Sequence, residues 1–302
     1  MTLTIIIIGY NAAKELQFCL SSINKQKNIN ENIEILYIDD GSLDNSIHIF
    51  NSFNLKFQKR YIKHSKKLGR NNARNTGIKN ANGDWCLFIN SNISLDENVI
   101  NNYLNEIKKR NYNILTGNIK YICPDKKFEL YLNNYKRTIN NYKTKQIIPY
   151  YYLLFSNACI KKTILQKIKF DEKLTGYGGS EMEISYRINK QNPILFVPDT
   201  FGTRLNHPSL KDHLKRIEAF GEKNIFFIYQ KIKKNHLPNT FKLFYLFLNK
   251  SSIILLPLFY LIRWLLFNII TLLPDKKSYN IIKLLLGLSM IVGIAKNKYI
   301  YK

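Results

Sequence analysis

Acidic residues are scarce in this chain of 302 residues: 21 Asp and Glu face 46 Lys and Arg, a formal net charge of +25. Such an imbalance points to an anionic partner: nucleic acid, an anionic membrane surface or a phosphorylated substrate. Nucleic acid is set aside, because the lysines are scattered and no nucleic-acid-binding motif accompanies them. Cysteine is sparse as well. Cys19, Cys86, Cys123 and Cys159 lie far apart and form no CxxC pair. That argues against a disulfide framework or zinc site and for reduced, packed thiols in a cytosolic chain. No basic leader accompanies the opening MTLTIIIIGYN, whose apolar run is too short for a secretory signal and reads as a buried strand. There is no internal repeat. What is abundant is apolar. Hydrophobic residues make up 45% and aromatics 13% of the chain, which rules out disorder as its main state. The length suits one large or two small domains with a real core.

Residues 1 to about 90 alternate short apolar runs with longer amphipathic stretches. LTIIIIG precedes AAKELQFCLSSINKQ, IEILYIDD precedes SLDNSIHIFNSF, KFQKRYIKH precedes RNNARNTGIKNA, and DWCLFIN follows. Strand and helix alternating at this spacing predict βαβ units and a parallel sheet. Open sheets of this kind bind ligands beyond the carboxyl ends of their strands. Chemistry is therefore expected directly after the runs, at Tyr10 and Asn11, Asp39 and Asp40, and Asn90 and Asn92. From 97 to 235 the pattern is less regular. ENVINNYLNEIKKR and SEMEISYRINKQ read as helices, IKKTILQKIKF has apolar periodicity, and YNILTGNIKYI and PILFVPD read as strands.

The composition changes after about 240, which sets the expected boundary between a domain at 1–240 and a C-terminal helical segment at 241–302. SIILLPLFYLIRWLLFNIITLL, residues 252 to 273, carries one charge, Arg263, and LLLGLSMIVGIA covers 284 to 295. The first is long enough to span a bilayer. Arg263 near its middle would cost ~2.5–3.5 kcal/mol there. The second is too short to span comfortably. If both crossed, the two lysines of the intervening PDKKS would lie outside the cytoplasm, against the positive-inside tendency. Helices lying in the interface, with lysines at the head groups, are the simpler arrangement. A helical hairpin packed on the main domain is the alternative.

ILYIDDGSLDNS runs a hydrophobic strand into two carboxylates, a glycine and a serine. Asp39 and Asp40 can accept hydrogen bonds from a base N–H and from ribose hydroxyls. Ser42 or Asp44 suits a helix cap. Four segments in order, IIIIGYNAAKELQFCLSSI, IDDGSLDNS, LGRNNARNTGIKNANGDWCLFINSN and FDEKLTGYGGSEMEISYRI, resemble family 2 glycosyltransferases of the GT-A fold over roughly residues 1 to 210. The resemblance implies a GT-A-like α/β fold with a mixed central sheet; the apolar runs beyond it add the membrane-proximal C-terminal helices. It implies a nucleotide-sugar site at Tyr10, Asp39, Asp40, Arg74 and Asn90. GYGGSEMEISYRI resembles the family's acceptor-side pattern, glycine-glycine, acid-acid, any, acid. Ser180 takes the place of the first acid, Glu181 that of the catalytic base, Glu183 that of the third acid, and Arg187 that of the pattern's arginine. Glu181 would accept the proton of an acceptor hydroxyl as its oxygen attacks the anomeric carbon. Gly178 and Gly179 would give the chain a tight approach beside the acceptor. Taken alone, Glu181 is an acid in a helix's first turn, favoured by the dipole, and Arg74 is a solvated helix charge.

CLFINSN stands where the family carries an acid-any-acid metal motif, and here both acids are amides, Asn90 and Asn92. An amide carbonyl can ligate Mg²⁺ or Mn²⁺ but brings no charge. The resemblance thus implies a divalent-metal cofactor that this chain's own residues weaken. His207, in RLNHPS, stands where some members place a third metal ligand or a diphosphate contact, although a lone histidine is usually structural. Asp96, in SLDENV, reads as a helix cap with Ser94. Arg70, Arg74 and Arg204 are candidate cations for neutralising a leaving diphosphate. The implied activity is inverting transfer, of hexosyltransferase type, from a nucleotide-diphosphate donor, most commonly a UDP-sugar. The acceptor is a hydroxyl of a glycan or lipid-linked glycan at the cytoplasmic face of a membrane, in a bacterial polysaccharide setting. The amide pair also keeps open a non-catalytic relative that binds nucleotide-sugar or glycan.

Overall fold

The computed structural model describes residues 1–248 and 251–297. In chain order, β1 (Thr2–Gly9), α1 (Ala13–Asn24), β2 (Asn32–Asp39), α2 (Ser46–Ser52), β3 (Gln58–Lys63), α3 (Arg70–Asn80) and β4 (Trp85–Asn90) follow the predicted alternation. Next come β5 (Ile93–Leu95), α4 (Val99–Lys108), β6 (Ile114–Tyr121), α5 (Lys126–Leu132), β7 (Gln146–Ile148), β8 (Asn157–Lys161), α6 (Lys162–Lys167), α7 (Ser180–Asn189) and β9 (Ile194–Arg204). The rest is helical: α8 (Leu210–Lys223), α9 (Ile225–Lys231), α10 (Asn239–Phe244), α11 (Ser251–Ile254), α12 (Leu256–Leu272) and α13 (Tyr279–Ala295). Two compact units result. One comprises 1–122, 135–173 and 184–206; the other comprises 123–134, 174–183 and the chain from 207.

The first unit is built on one sheet in the order β3-β2-β1-β4-β8-β6-β9-β5, with β7 also on β9. Leu3 to Ile8 are all buried, as a strand covered on both faces requires. β1 pairs in parallel with β2 and β4, whereas β8 is antiparallel to both β4 and β6, so the sheet is mixed. Register aligns Gly9 with Asp39 and Ile8 with Asn90. The three strand ends singled out in the sequence therefore arrive level at one edge. Leu16, Cys19, Leu20 and Ile23 of α1 join Ile5, Ile7, Ile35 and Leu87 in the core. All four cysteines are free and buried. Burial pushes the Cys19 and Cys86 thiols up to about 12, which leaves them as packing groups. Between Thr116 and Asn118 the β6–β9 register shifts. There Asn157 Nδ2 donates to the carbonyls of Asn118 and Thr200 at 3.0 and 2.8 Å, and Tyr103 Oη donates to Asn157 Oδ1 at 2.9 Å. This buried node satisfies carbonyls that the irregular ladder leaves over.

In the second unit, α8 and α13 meet backbone to backbone. A Cβ on Gly293 would lie 2.0 Å from the Glu218 carbonyl oxygen, and one on Gly221 would lie 2.5 Å from that of Met290. Glu218 also pairs with Arg263 of α12, Nη1 to Oε2 at 2.5 Å, and with Lys296. These contacts change two expectations. The boundary expected at 240 instead falls after 206, because α8 packs on the C-terminal helix. Arg263 is not a stray charge in an apolar run but half of a partly buried ion pair. The run 252–273 is also interrupted. α11 stops at Ile254, and α12 starts afresh with Pro257 in its first turn, where a missing N–H is harmless. Among the described residues no helix is long and apolar enough to cross a membrane. One face of α12 nevertheless exposes Leu258, Leu261, Leu265, Ile269 and Leu272, with Trp264 63% exposed beside them.

Candidate functional site

The site grows from the turn after β1. A Cβ on Gly9 would lie 2.7 Å from Tyr37 Oη and 2.9 Å from Ser91 Oγ, so glycine is what lets the strand ends converge. Gly9 O accepts from the Asp40 N–H and Ile8 O from the Ser91 N–H, both at 2.9 Å. Asn11 sits at φ 48°, a left-handed conformation that asparagine tolerates. Its N–H donates to Ser42 Oγ at 2.8 Å, and its Oδ1 accepts from the Leu43 N–H at 3.0 Å. The next two amides go the same way, Ala12 N–H to Ser46 Oγ and Ala13 N–H to Asp44 Oδ2, each at 2.9 Å. Helix α1 carries no side-chain cap of its own; the β2–α2 loop caps it from outside. Asp44 thus serves both helices, its Oδ2 accepting from the Ala13 N–H of α1 and its Oδ1 from the Ser46 N–H of α2 at 3.1 Å, while Ser42 holds the turn just before α1. Burial pushes the Asp44 carboxyl up, and hydrogen bonds from Ser46 and the Ala13 N–H outweigh it and hold it below the usual range.

Asp39 and Asp40 divide their work. Asp39 is fully buried; its Oδ1 accepts from the Ser42 N–H at 2.8 Å, and its Oδ2 has no hydrogen-bond partner among the described residues. Asp40 Oδ1 accepts from the Leu68 N–H at 2.9 Å and Oδ2 from the Gly69 N–H at 2.8 Å. His64 Nδ1 lies 3.0 Å from Asp40 Oδ1, and its Nε2 lies 3.0 Å from Thr76 Oγ1. Asp40 therefore shapes the loop that delivers Arg70 at the start of α3.

A cavity of about 310 Å³ opens at these strand ends, lined by residues 8–12, Glu15, Asp40, Arg70, Ala73, residues 90–92, Arg204 and Asn206. Lys67 Nζ stands 3.8 Å from the centroid of the Tyr10 ring at its rim. Asn90 Oδ1 is buried without a hydrogen-bond partner among the described residues. Asn92 O accepts from the Leu205 N–H at 3.0 Å, and β5 aligns Ile93 with Arg204, which seats that arginine beside the amide pair. Glu15 Oε1 accepts from Asn206 Nδ2 at 2.9 Å.

Of the residues expected here, Tyr10, Asn11, Asp40, Arg70, Asn90, Asn92 and Arg204 line the cavity, and Asp39 lies behind its wall. Arg74 does not line it. It is 1% exposed, with its guanidinium 5.4 and 5.0 Å from the ring centroids of Phe155 and Phe170, a stacked core position rather than a nucleotide contact. Glu15, Ser91 and Asn206 went unnoticed in the sequence, since each is placed by a neighbouring turn and not by a motif. Asp96 is exposed and does not cap α4, whose N-cap is Asn98 with no side-chain hydrogen bond.

Of the segment FDEKLTGYGGSEMEISYRI, residues 174–183, with the glycines and both glutamates, belong to the second unit. Glu181 and Glu183 occupy the first turn of α7, and Glu183 is buried. Gly178 and Gly179 have φ +84° and +89°, and a Cβ on Gly178 would lie 2.6 Å from Phe220 Cγ. Asn224, at the α8–α9 junction, donates through Nδ2 to the carbonyls of Thr175, Tyr177 and Gly178 at 2.9, 3.3 and 3.0 Å. No sequence pattern marks Asn224. His207 is buried, its Nδ1 3.0 Å from Pro208 O and its ring centroid 5.4 Å from Phe128 and 5.0 Å from His213, an aromatic packing position.

A strand-end cavity on a mixed sheet of this order defines the GT-A class of α/β fold. S. aureus TarS (residues 1–349) in complex with UDP-GlcNAc matches with a TM-score of 0.55 over 73% of this chain and 66% of that one, at 18% identity. The mannosyltransferase PcManGT from Pyrobaculum calidifontis, in complex with GDP-Man and Mn²⁺, matches at 0.55 over 76% and 65%, at 12% identity. The chain belongs to glycosyltransferase family 2: the model described as Glycosyl transferase family 2 matches residues 4–169. It is 26% identical to GlyG of Streptococcus pneumoniae serotype 4 over 167 residues, 55% of this chain and 48% of GlyG. It is 29% identical to the poly(ribitol-phosphate) beta-glucosyltransferase of Bacillus spizizenii over 124 residues, 40% and 20% of the two chains. The chain thus spans about half or less of the length of these relatives.

The residues present do not suit the divalent ion that the fold brings to mind. Magnesium-like ions are held by one or two carboxylates plus substrate phosphates. Here Asn90 and Asn92 are neutral, both oxygens of Asp40 are engaged with backbone N–H groups, and Glu15 is bonded to Asn206. Among the described residues no three of His, Cys, Asp and Glu converge as a metal group.

Proposed function

We propose that this chain is an inverting glycosyltransferase of hexosyltransferase type. It moves the sugar of a nucleotide-diphosphate donor, a UDP-sugar first among them, onto a hydroxyl of a glycan or lipid-linked glycan. The observation that supports this reading is the cavity where the ends of β1, β2 and β4 come level, walled by Tyr10, Asp40, Asn90 and Asn92. The Tyr10 ring offers a face for a base, and the orphan Asn90 Oδ1 offers an acceptor for a ribose or sugar hydroxyl. Glu181 serves as base, by its position in the acceptor-side pattern. It takes the acceptor's proton as that oxygen bonds to the anomeric carbon, while the bond from that carbon to the diphosphate breaks on the opposite face.

The acceptor reading draws on α12. Its exposed stripe of Leu258, Leu261, Leu265, Ile269 and Leu272, with Lys277 and Lys283 exposed nearby in sequence, suits an anionic membrane surface at the cytoplasmic face. Apolar side chains would enter the acyl boundary and lysines would meet head groups. The test of function is a panel of UDP-, GDP- and dTDP-sugars, scored for consumption with glycan and lipid-linked acceptors. Consumption of one donor supports transfer. Binding of nucleotides without consumption of any donor supports a non-catalytic nucleotide-sugar-binding relative, the reading that the amide pair Asn90 and Asn92 favours.

A further inference from the structure

We infer that the donor's diphosphate is held and neutralised by Arg204 and Arg70, in the place where relatives of this fold use a resident divalent ion. The inference rests on the nucleotide-sugar reading above and adds the ligand chemistry of one wall of the cavity. That wall carries two guanidinium groups and two amides, and the two carboxylates on the lining are already engaged. Asp40 and Glu15 keep their charge, but both Asp40 oxygens and Glu15 Oε1 are taken up by N–H donors of the protein, which leaves a cation poor ligands there. The two guanidinium groups on the same lining match the oxygens of a diphosphate instead.

The placement of both arginines is built into the fold. Arg204 ends β9, aligned with Ile93 of β5, and the following residue's N–H bonds to Asn92 O at 3.0 Å. A sheet edge therefore fixes its backbone beside the amide pair. Arg70 is the first residue of the 11-residue α3. The preceding Gly69 sits at φ +98° with its N–H bonded to Asp40. The N-terminus of α3 thus lies at the cavity beside Arg70, and its dipole favours anions there. Guanidinium groups bind phosphate oxygens through paired N–H donors in a fixed fork. As the anomeric carbon–oxygen bond breaks, the departing nucleoside diphosphate gains one unit of negative charge, and cations already in position stabilise it without rearrangement.

The test uses the full chain and calorimetric binding of UDP against uridine, and GDP against guanosine, in EDTA and again with Mn²⁺. One diphosphate is expected to bind in EDTA at least ~10-fold tighter than its nucleoside, with little gain from Mn²⁺. Arg204→Gln should weaken the diphosphate about 10- to 100-fold, the range for losing a charged hydrogen-bond partner, and leave the nucleoside unchanged. Arg70→Gln, at an exposed position that tolerates substitution, should give a smaller loss of the same selectivity. Arg204→Lys should recover part of it. Diphosphate binding that appears only with Mn²⁺ overturns the inference. So does a loss that falls equally on diphosphate and nucleoside in both Gln variants. If no nucleotide or nucleoside binds under either condition, the nucleotide-sugar reading itself fails, and the inference with it.

Discussion

Asn224 offers the sharpest test of how the glycine loop at 175–179 is held. One amide nitrogen, on a residue 7% exposed, donates to three carbonyls of residues 175, 177 and 178. Two hydrogens share three acceptors, so removal forfeits about two net hydrogen bonds at ~1 kcal/mol each. Thr175 and Gly176 are exposed, which lets water take over part of the loss. Asn224→Ala should therefore cost about 1–3 kcal/mol, a fall of roughly 2–12 °C in Tm for a chain of this size. Asn224→Asp keeps the shape but turns acceptor oxygens toward acceptor oxygens. It should be worse than alanine by a further ~1–3 kcal/mol at neutral pH and should recover partly on acidification, when the carboxyl can donate. Denaturation monitored by circular dichroism gives the stabilities. Transfer kinetics well below the transition give the function, with kcat expected to fall while the donor KM holds. An aspartate variant as stable as alanine or better would refute the donor assignment. An alanine variant with unchanged kcat would reduce Asn224 to scaffolding.

Three further outcomes follow from named contacts. Glu181→Gln should lower transfer about 10²–10⁴-fold with nucleotide binding intact; transfer at the parent rate in a turnover assay would remove Glu181 from the role of base. Glu218 is pushed up by burial, but hydrogen bonds from Lys296 and Arg263 outweigh this and hold its carboxyl below the ordinary value. Its contribution is therefore present above the ordinary glutamate range and lost as pH falls through the depressed value. Denaturant titrations should show the parent losing stability below about pH 4, whereas Glu218→Gln, weaker by about 1–3 kcal/mol at pH 7, should respond less over that window. On the surface of α12, Leu261→Ser with Leu265→Ser should reduce co-sedimentation with anionic vesicles and leave the melting temperature unchanged; equal sedimentation would exclude that stripe from the membrane.

Much of the first unit was legible in the sequence, for a physical reason. β1, β2 and β4 are covered on both faces, so they read as apolar runs, and their ends carry Gly9, Asp39 and Asn90. β5, β7 and β8 were not expected. β5 and β7 have three residues each and β8 five, too short for a period to declare itself, and the antiparallel insertion of β8 is decided by long-range packing. Arg70 and Arg74 lie four apart on one helix and look equivalent as sequence. Which of them reaches the cavity depends on where α3 stands against the strand ends, and one turn suffices to put Arg74 over Phe155 and Phe170. The C-terminal boundary misled because apolar composition marks helices that pack on one another as readily as helices that meet lipid. Its decisive partners, Glu218 with Arg263 and Gly221 with Gly293, are separated by at least 45 residues.

The contact at Gly293 has a bearing on how such chains can be recombined. Where a Cβ would stand 2.0 Å from a neighbouring carbonyl oxygen, no other residue fits without parting the two helices. α8 and α13 are therefore matched halves, and a chimera joined at 240 would set a foreign C-terminal helix against a groove shaped for this one. A seam at 206 keeps the pair together but separates α8 from α5, where His213 packs on Phe128, and from the loop that Asn224 holds. The smallest exchangeable cassette is discontinuous: 123–134, 174–183 and the chain from 207 onward travel as one piece. Exchanging that unit moves the glycine loop, Glu181 and the apolar face of α12 along together.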